Sequence, residues 1–311
     1  MPCRNISRGM ELAMGKEART MSSIRHHQAH LIQERGYPPR STGDSTREHT
    51  LSIIVPAKDE AANLPGLVEE VIAVFRPLVG RTDRRHRLDA FELLIVDDGS
   101  TDDSAQVIDR LSKNYREVRS VTLANNVGQS AATLAGFRAA RGDWVGLLDA
   151  DLQNPPTDLA ALWEVLPGFD AALGWRKTRE DVWTKRVISR WANRVRNAVL
   201  GQSIRDTGCS IRIFPRDVSL RLPMFRGSHR FFGPLLIREG CRIVQNPVGH
   251  RPRGAGKSHY HFGNRSLRVV VDLLGVAWLM RRPVRFEVVE PSVAPRSTAQ
   301  RRELSGVEGV R

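Results

Sequence analysis

The chain has 311 residues, 41% hydrophobic and 26% charged, which is enough to bury a core in one large or two ordinary domains. Its three cysteines lie far apart and match neither a disulfide framework nor a metal motif, so the composition excludes a disulfide-stabilised scaffold and indicates a reducing, cytosolic compartment. The net charge of +14 is unevenly placed: residues 176–285 carry 24 Lys and Arg against 6 Asp and Glu, and the rest of the chain sums to −4. This asymmetry predicts that the second half meets an anion, which is a nucleic acid, an anionic membrane face or a phosphorylated substrate.

Residues 1–50 are polar, rich in His and Arg, and without sustained periodicity. They contain no continuous apolar run of the kind found in secretory signals, and we expect a disordered extension. The fold is predicted to begin after them, with four short apolar runs that are typical of buried strands, at 51–56, 91–96, 118–123 and 144–148. Amphipathic helices separate these runs. Strands that alternate with helices predict an α/β fold with a mostly parallel sheet covered by helices on both faces.

Polar residues follow each of the four predicted strands. Acidic side chains end three of them, and an Asn pair ends the other: Lys58-Asp59-Glu60, Asp97-Asp98, Asn125-Asn126 and Asp149-Ala150-Asp151. In open parallel sheets, ligands bind beyond the carboxyl ends of the strands. Strands also end in polar loops for reasons of solvation alone, but acids at three of four ends favour a binding site at this edge.

Asp149 and Asp151 lie one residue apart and share an alternation phase, so their carboxylates are expected to converge at the end of the strand. Two bare carboxylates repel each other unless a cation lies between them. Mg²⁺ and Mn²⁺ prefer oxygen ligands and keep positions open for substrate phosphates. A solvated strand-to-loop turn is the alternative, since Asp is common in turns.

Three stretches in combination resemble the family 2 glycosyltransferases of the GT-A fold, and within them the dolichyl- and polyprenyl-phosphate sugar synthases. They are Ile-Val-Pro-Ala-Lys-Asp-Glu at 54–60, Val-Asp-Asp-Gly-Ser-Thr-Asp at 96–102 and Asp-Ala-Asp-Leu-Gln-Asn-Pro-Pro at 149–156. The resemblance runs from about residue 51 to residue 280 and implies a Rossmann-like GT-A fold. It also implies a nucleotide site formed by Pro56, Ala57, Glu60 and Asp98, and a metal site formed by Asp149, Asp151 and Gln153. Lys58 departs from the family, which has Tyr or Phe at that position.

The second half resembles the acceptor side of the same family. Arg176 ends a predicted fifth strand and corresponds to an arginine near the phosphates. Asp206 opens a segment similar to the family's Asp-x-x-Ser-Gly, and Arg230 lies in a His-Arg-Phe motif and is expected to face phosphate. The loop that contains Arg253 and Ser258 resembles the family's Arg-x-x-Gly-x-Ser-Lys-Tyr motif and predicts a phosphate clamp, although a merely basic surface loop is the alternative.

Two helices are predicted on the acceptor side. Residues 184–200 have one apolar face and basic residues largely elsewhere, which fits either a membrane surface or a core-packed helix. We place the glycosyltransferase domain at 51–265, an apolar helix at 266–284 and a disordered tail at 285–311. The apolar run at 269–280 is far shorter than the ~20 residues that span a bilayer, so this helix either packs on the domain or lies in the membrane interface, and its wide apolar face favours the interface.

These features predict a metal-dependent, inverting hexosyltransferase that moves a sugar from a GDP- or UDP-linked donor to a polyprenyl phosphate. Inversion rests on the resemblance. A phosphate acceptor is already ionised at neutral pH and needs no base, and the Arg-rich half suits it. We expect the catalytic groups to be Asp151, Arg176, Arg230 and Asp206, and the cofactor to be Mg²⁺ or Mn²⁺.

The predicted location is the cytoplasmic side, peripheral at the inner face of the membrane, in cell-envelope glycan synthesis; the sequence leaves a homo-oligomer open. A hydroxyl acceptor is the near alternative and would need a base, for which Asp206 is the candidate. A nucleic-acid-binding protein is the distant alternative, suggested by charge alone. We expect no nucleic acid partner, because the paired acids at the strand ends would repel it.

Overall fold

The computed structural model describes residues 30–32, 49–83, 86–176, 193–251 and 265–282. The strands are β1 (His30–Ile32), β2 (Thr50–Ala57), β3 (Ala90–Asp97), β4 (Val118–Thr122), β5 (Trp144–Leu147), β6 (Ala171–Arg176), β7 (Arg212–Pro215) and β8 (Ile243–Val248). The helices are α1 (Leu64–Phe75), α2 (Ser104–Asn114), α3 (Gln129–Ala139), α4 (Pro156–Val165), α5 (Arg216–Arg221), α6 (Phe232–Arg238) and α7 (Arg265–Arg281). Residues 193–200 are helical as well.

The strands form a single sheet in the order β1-β8-β6-β7-β5-β2-β3-β4. Strands β2, β3, β4 and β5 run parallel to their neighbours among themselves, and β6 is parallel to β8. Strand β7 is antiparallel to both β5 and β6, and β1 is antiparallel to β8 at the edge. The predicted mostly parallel α/β sheet is therefore confirmed.

Both faces of the sheet are covered, as predicted. Alternate residues of β2 point to opposite faces, so Ile53 packs in a core with α1, α2 and α4, and Ile54 packs in a second core with α3, α6 and α7. Both side chains are fully buried. Because β2 is buried on both sides, its sequence is mostly apolar, and the hydroxyl of its fully buried Ser52 donates to Glu92 of β3 at 2.6 Å.

The register brings the carboxyl ends of the first strands to one edge. Ala57, the last residue of β2, pairs with Asp97, the last residue of β3. Strand β5 ends beside β2, since Leu147 pairs with Ile54 and the next N–H bonds to the Ile54 carbonyl. The chain therefore leaves β2, β3 and β5 at the same edge, and the acidic motifs that follow these strands line it.

The ends of the chain differ in part from expectation. Within residues 1–50, where no regular structure is predicted, His30–Ile32 form a short strand that pairs with β8. The C-terminal helix runs over Arg265–Arg281, close to the predicted 266–284. Of the helix predicted at 184–200, the described part, 193–200, is helical, and the remainder lies outside the described residues. The domain boundaries stay predictions.

Candidate active site

The loop after β2 is tied to the loop after β3. The Lys58 ammonium bonds to the Asp59 carboxylate at 2.9 Å and to the Gly99 carbonyl at 3.1 Å, and the Thr101 N–H donates to Asp59 at 2.7 Å. These hydrogen bonds lower the pKa of Asp59 to about 2, and the hydrogen bond from Lys58 has the largest effect. Lys58, which departs from the family pattern, thus crosslinks the two loops.

The predicted nucleotide-site residues lie in this part of the edge. Pro56 and Ala57 end β2, and the Glu60 carboxylate accepts a hydrogen bond from the Asn63 side chain at 2.5 Å. The Asp98 side chain is 4% exposed, and each of its oxygens accepts one backbone N–H, from Val127 and Gly128, at 2.9 Å. Asp98 therefore organises the loop before α3 in addition to lying beside the predicted nucleotide site.

The predicted metal-binding acids are less well partnered. The half-buried Asp149 accepts long hydrogen bonds from the side chains of Gln129 and Asn154, both at 3.4 Å, and a hydrogen bond from the Ser210 side chain. Burial raises the pKa of Asp149, and the neighbouring charge of Asp151 raises it further. The Asp151 carboxylate is 8% exposed and accepts the Gln153 N–H at 3.2 Å. A cation beside these two carboxylates would be stabilising, because the charge of Asp151 opposes ionisation of Asp149.

The turn that contains these acids is strained. Leu152 lies in the left-handed region with φ +59°, which is uncommon for a residue other than glycine. Such a conformation costs about 1 kcal/mol or more and persists when surrounding contacts impose it. Here the Gln153 carbonyl accepts the Arg251 N–H at 2.8 Å, so the turn is anchored to the segment after β8.

That segment leads into the predicted phosphate clamp. The Gly249 N–H donates to Asp158 at 2.7 Å, and the Arg251 guanidinium bonds to the Glu70 carboxylate at 2.9 and 3.0 Å. Arg251, the last described residue of this segment, is therefore attached beside the predicted metal-binding motif. Arg253 and Ser258 lie outside the described residues.

Arg176 and Asp206 form a bidentate ion pair. The Arg176 Nε lies 2.8 Å from Asp206 Oδ2, and Nη2 lies 3.1 Å from Oδ1. The Asp206 carboxylate also accepts the Gly208 N–H at 3.0 Å. The positive charge of Arg176 acts on Asp149 and lowers its pKa in part, so this pair lies within electrostatic range of the acids after β5.

Sequence reasoning missed Arg212. Its side chain is 5% exposed in β7, and it donates to the carbonyl oxygens of Thr207, Cys209 and His229 at 2.6 to 3.0 Å. Burial lowers the pKa of this guanidinium, which nevertheless stays charged. An arginine in the middle of the apolar run Ile211–Phe214 was the signal that could have revealed it, because a buried charge needs dedicated partners.

Arg230 lies in a short turn held by glycine. Gly227 has φ +105° and precedes a 3₁₀ turn over Ser228–Arg230. The turn is joined to α3, because the Ser130 hydroxyl accepts the Gly227 N–H at 3.1 Å and lies 2.9 Å from His229 Nδ1. The Arg230 side chain is half-buried.

The structure thus places two groups of residues on one edge of the sheet. The loops after β2 and β3 carry the predicted nucleotide site, and Asp149, Asp151, Arg176 and Asp206 lie beyond β5, β6 and the start of β7. An open α/β sheet with paired acids at the end of a central strand, faced by arginines, is the arrangement of a GT-A glycosyltransferase.

Solved structures support this class. The chain is similar to glucosyl-3-phosphoglycerate synthase from Mycobacterium tuberculosis, solved with Mn²⁺, UDP-glucose and phosphoglyceric acid, with a TM-score of 0.54 and 21% identity over 74% of this chain and 80% of that chain. It is also similar to a mannosyltransferase from Pyrobaculum calidifontis, solved with GDP-mannose and Mn²⁺, with a TM-score of 0.53 and 19% identity over 89% of this chain and 74% of that chain. At these identities the likeness shows the fold.

The family follows from the sequence. The family model described as glycosyl transferase family 2 matches residues 52–222, and the chain belongs to that family. It is 34% identical to dodecaprenyl-phosphate galacturonate synthase of Rhizobium johnstonii over 80% of this chain and 72% of the relative. It is 32% identical to undecaprenyl-phosphate 4-deoxy-4-formamido-L-arabinose transferase of an Enterobacter species, over 79% and 72%. The protein is a glycosyltransferase, as predicted.

Proposed function

We propose that this glycosyltransferase moves a sugar from a nucleotide-sugar to a polyprenyl phosphate at the cytoplasmic face of the membrane, with inversion at the anomeric carbon. Two relatives that share about a third of its sequence are by name transferases of sugars to dodecaprenyl or undecaprenyl phosphate. The donor is GDP- or UDP-linked, and Pro56, Ala57, Glu60 and Asp98 form its base and ribose site. Inversion rests on family resemblance.

The acids after β5 fit a divalent cation. Two carboxylates, Asp149 and Asp151, follow β5, and the described residues contain no group of three His, Cys, Asp or Glu side chains that could hold a metal ion. Mg²⁺ and Mn²⁺ suit such a site because they take oxygen ligands and fill the remaining positions with phosphate oxygens and water. We assign Asp149, Asp151 and Gln153 to this ion, whose charge would stabilise the diphosphate leaving group.

The Arg176–Asp206 pair is the observation that carries the choice of acceptor. A hydroxyl acceptor needs a base, and Asp206 was the candidate. Both of its oxygens accept hydrogen bonds from Arg176, which disfavours proton transfer to them because the ion pair stabilises the charged carboxylate. A lipid phosphate needs no base, and Asp206 then orients Arg176 toward the diphosphate.

The arginine-rich second half of the chain suits an anionic nucleophile. The acceptor phosphate must approach a second anion, the donor diphosphate, so fixed positive charge is required to hold the two together. Arg176 and Arg230 meet this need in the described part of the chain, and Arg253 and Ser258 are proposed to complete it. The excess of 24 basic over 6 acidic residues in 176–285 acts in the same direction.

Helix α7 is proposed to bind the membrane surface. Four of its apolar side chains are more than half exposed, namely Val270, Val271, Leu274 and Trp278, and the Arg282 guanidinium lies 5.5 Å from the Trp278 ring centre. An exposed apolar face with Trp and Arg near one end is typical of helices that lie in the interface. No helix in the described parts of the chain has the length and apolarity of a transmembrane span.

Transfer to lipid is tested directly. The purified protein is incubated with Mn²⁺ and a panel of labelled GDP- and UDP-sugars, with and without polyprenyl phosphate, and label is counted after extraction into organic solvent. Lipid-dependent label in the organic phase is expected. Label on a saccharide in place of lipid would overturn the proposal.

The role of Asp206 separates the two acceptor classes. With a phosphate acceptor, Asp206→Asn should lower kcat about tenfold, because the amide orients Arg176 less firmly but no base is lost. Asp217→Asn, which changes an exposed carboxylate paired with Arg221, is the matched control and should leave kcat unchanged. Complete loss of turnover in Asp206→Asn alone would favour a hydroxyl acceptor.

Membrane binding is tested with vesicles of phosphatidylcholine and phosphatidylglycerol. Replacing Leu274 and Trp278 by Ser should weaken vesicle binding by roughly tenfold or more, because two apolar side chains that the membrane interface would bury are removed. Leu220→Ser is the control, because Leu220 is also exposed, at 45%, on a different helix. Equal binding of both variants would refute the role of α7.

A further inference from the structure

Three consecutive residues at the start of α3 contact three different parts of the candidate active site. The Gly128 N–H donates to Asp98 at 2.9 Å, on the nucleotide side. The Gln129 side chain reaches Asp149 at 3.4 Å, in the metal motif. Ser130 contacts the turn that precedes Arg230, on the acceptor side. The first turn of α3 is therefore the junction of the site.

Ser130 makes two hydrogen bonds to this turn. Its oxygen accepts the Gly227 N–H at 3.1 Å, and it lies 2.9 Å from His229 Nδ1. A hydroxyl has one proton and two lone pairs, so Ser130 can accept the N–H and still pair with Nδ1, as donor or acceptor according to the imidazole tautomer. Ser130 is 7% exposed, so these bonds are shielded from water.

The same turn is held from a second direction. The His229 carbonyl accepts Arg212 Nη1 at 2.8 Å, and Arg212 also binds the carbonyls of Thr207 and Cys209, next to Asp206. His229 is thus attached through its side chain to α3 and through its main chain to β7. Arg230 is the next residue, so both attachments determine the position of the backbone from which the Arg230 side chain extends.

Helix α7 limits the turn on a further side. A Cβ atom placed on Gly227 would lie 2.9 Å from an Asp272 carboxylate oxygen, so the Asp272 side chain of α7 lies against the turn. The φ of +105° at Gly227 independently favours glycine at this position. The turn lies between α3 and α7. It has little room to move without breaking a hydrogen bond.

We propose that Ser130 and His229 are positioning residues, forming a hydrogen-bonded bridge that sets the acceptor-side arginine Arg230 at a fixed separation from the acids after β5. The inference rests on the proposed function for the identity of the acceptor. The bridge joins residues 99 positions apart in the chain, and therefore couples the donor side of the sheet to the acceptor side. Loss of the bridge leaves the donor site intact and displaces the group that meets the acceptor phosphate.

The first test replaces Ser130. Ser130→Ala should raise KM for polyprenyl phosphate and lower kcat by a combined factor of roughly ten to a hundred, because the partly buried Gly227 N–H loses its acceptor. It should leave KM for the nucleotide-sugar unchanged. Ser219→Ala is the matched control, since Ser219 is fully buried and its hydroxyl donates to a carbonyl of its own helix. Ser130→Thr restores the hydroxyl and should recover most of the activity.

The second test replaces the imidazole. Asn can place its side-chain amide, which both donates and accepts, near the position of Nδ1, whereas Ala cannot. His229→Asn should therefore retain more acceptor affinity than His229→Ala. Thermal unfolding is recorded for every variant, so that a loss of fold is separated from a change in KM.

The outcomes separate this inference from the proposed function. A rise in donor KM equal to that in acceptor KM, or kinetics of Ser130→Ala equal to those of Ser219→Ala, would overturn the bridge. If the native enzyme transfers label to a saccharide and not to lipid, the proposed acceptor is wrong. The same comparison of Ser130→Ala with Ser219→Ala, made with the saccharide, then still decides the positioning role.

Discussion

The acidic motifs after β3 and after β5 are similar in sequence, but their carboxylates differ in their hydrogen-bond donors. Each oxygen of Asp98 accepts a backbone N–H at 2.9 Å. Asp149 instead accepts side-chain donors, which are the amides of Gln129 and Asn154 at 3.4 Å and the Ser210 hydroxyl. Burial, together with the charge of Asp151, raises the pKa of Asp149. The first carboxylate is compensated within the protein, and the second is compensated only in part.

This difference separates two tasks within one edge of the sheet. A carboxylate saturated by backbone donors stabilises a loop, and here that loop begins α3, which reaches both the metal motif and the acceptor-side turn. A buried carboxylate such as Asp149, whose pKa is raised by burial and by a neighbouring carboxylate, costs stability until a cation binds. The edge is therefore preformed on the proposed nucleotide side, and we propose that a bound cation and diphosphate complete it beside Asp149 and Asp151.

Asp149→Asn should give the largest effect. Loss of a residue that only supports a metal ligand lowers activity by up to about a hundredfold. Asp149→Asn should lower activity by more than this, because it removes a proposed metal ligand itself. The unfolding midpoint should rise, since the like-charge interaction with Asp151 disappears. Initial rates and thermal unfolding of the metal-free protein check both.

Asp109→Asn is the control for this change, because Asp109 is an exposed carboxylate paired with Lys113 on α2. A lower midpoint in Asp149→Asn would mean that this carboxylate is as well compensated as Asp98. The contrast between the two strand ends would then be wrong.

Asp98→Asn should act in the opposite sense on stability. The amide group turns an N–H toward one of the two backbone donors, so the free energy of unfolding should fall by about 1–3 kcal/mol. Urea denaturation measures this, with nucleotide binding followed in parallel. Stability equal to that of the native protein would show that the loop before α3 does not depend on Asp98.

Asp59→Asn gives the smallest effect and depends on pH. The folded-state pKa of Asp59 is about 2, lowered from 3.8, so its ionised form contributes stability that is present above about pH 4 and is lost as pH falls toward 2. We expect the native protein to exceed the variant by about 1–2 kcal/mol at pH 5 and by little near pH 2. A difference that is constant over this range would contradict the assignment.

Much of the architecture could be predicted because it is local. The runs at 51–56 and 91–96 are apolar except for Ser52 and Glu92 because β2 and β3 are largely buried on both faces, and acids follow them where the strands end. The same pattern predicted that Asp98 and Asp149 share an edge. Family motifs added the nucleotide-sugar chemistry, which no periodicity could supply.

The sequence by itself thus determined the fold class, the family and the edge on which the site lies, because strand period and strand-end residues are read over a few positions. Only the tertiary structure decided which acids are already compensated, that Asp206 binds Arg176, and that Ser130 and Arg212 hold the turn before Arg230. These contacts join residues far apart in the chain. Their hydrogen-bond geometry depends on how helices and strands pack, and no short stretch of sequence contains that information.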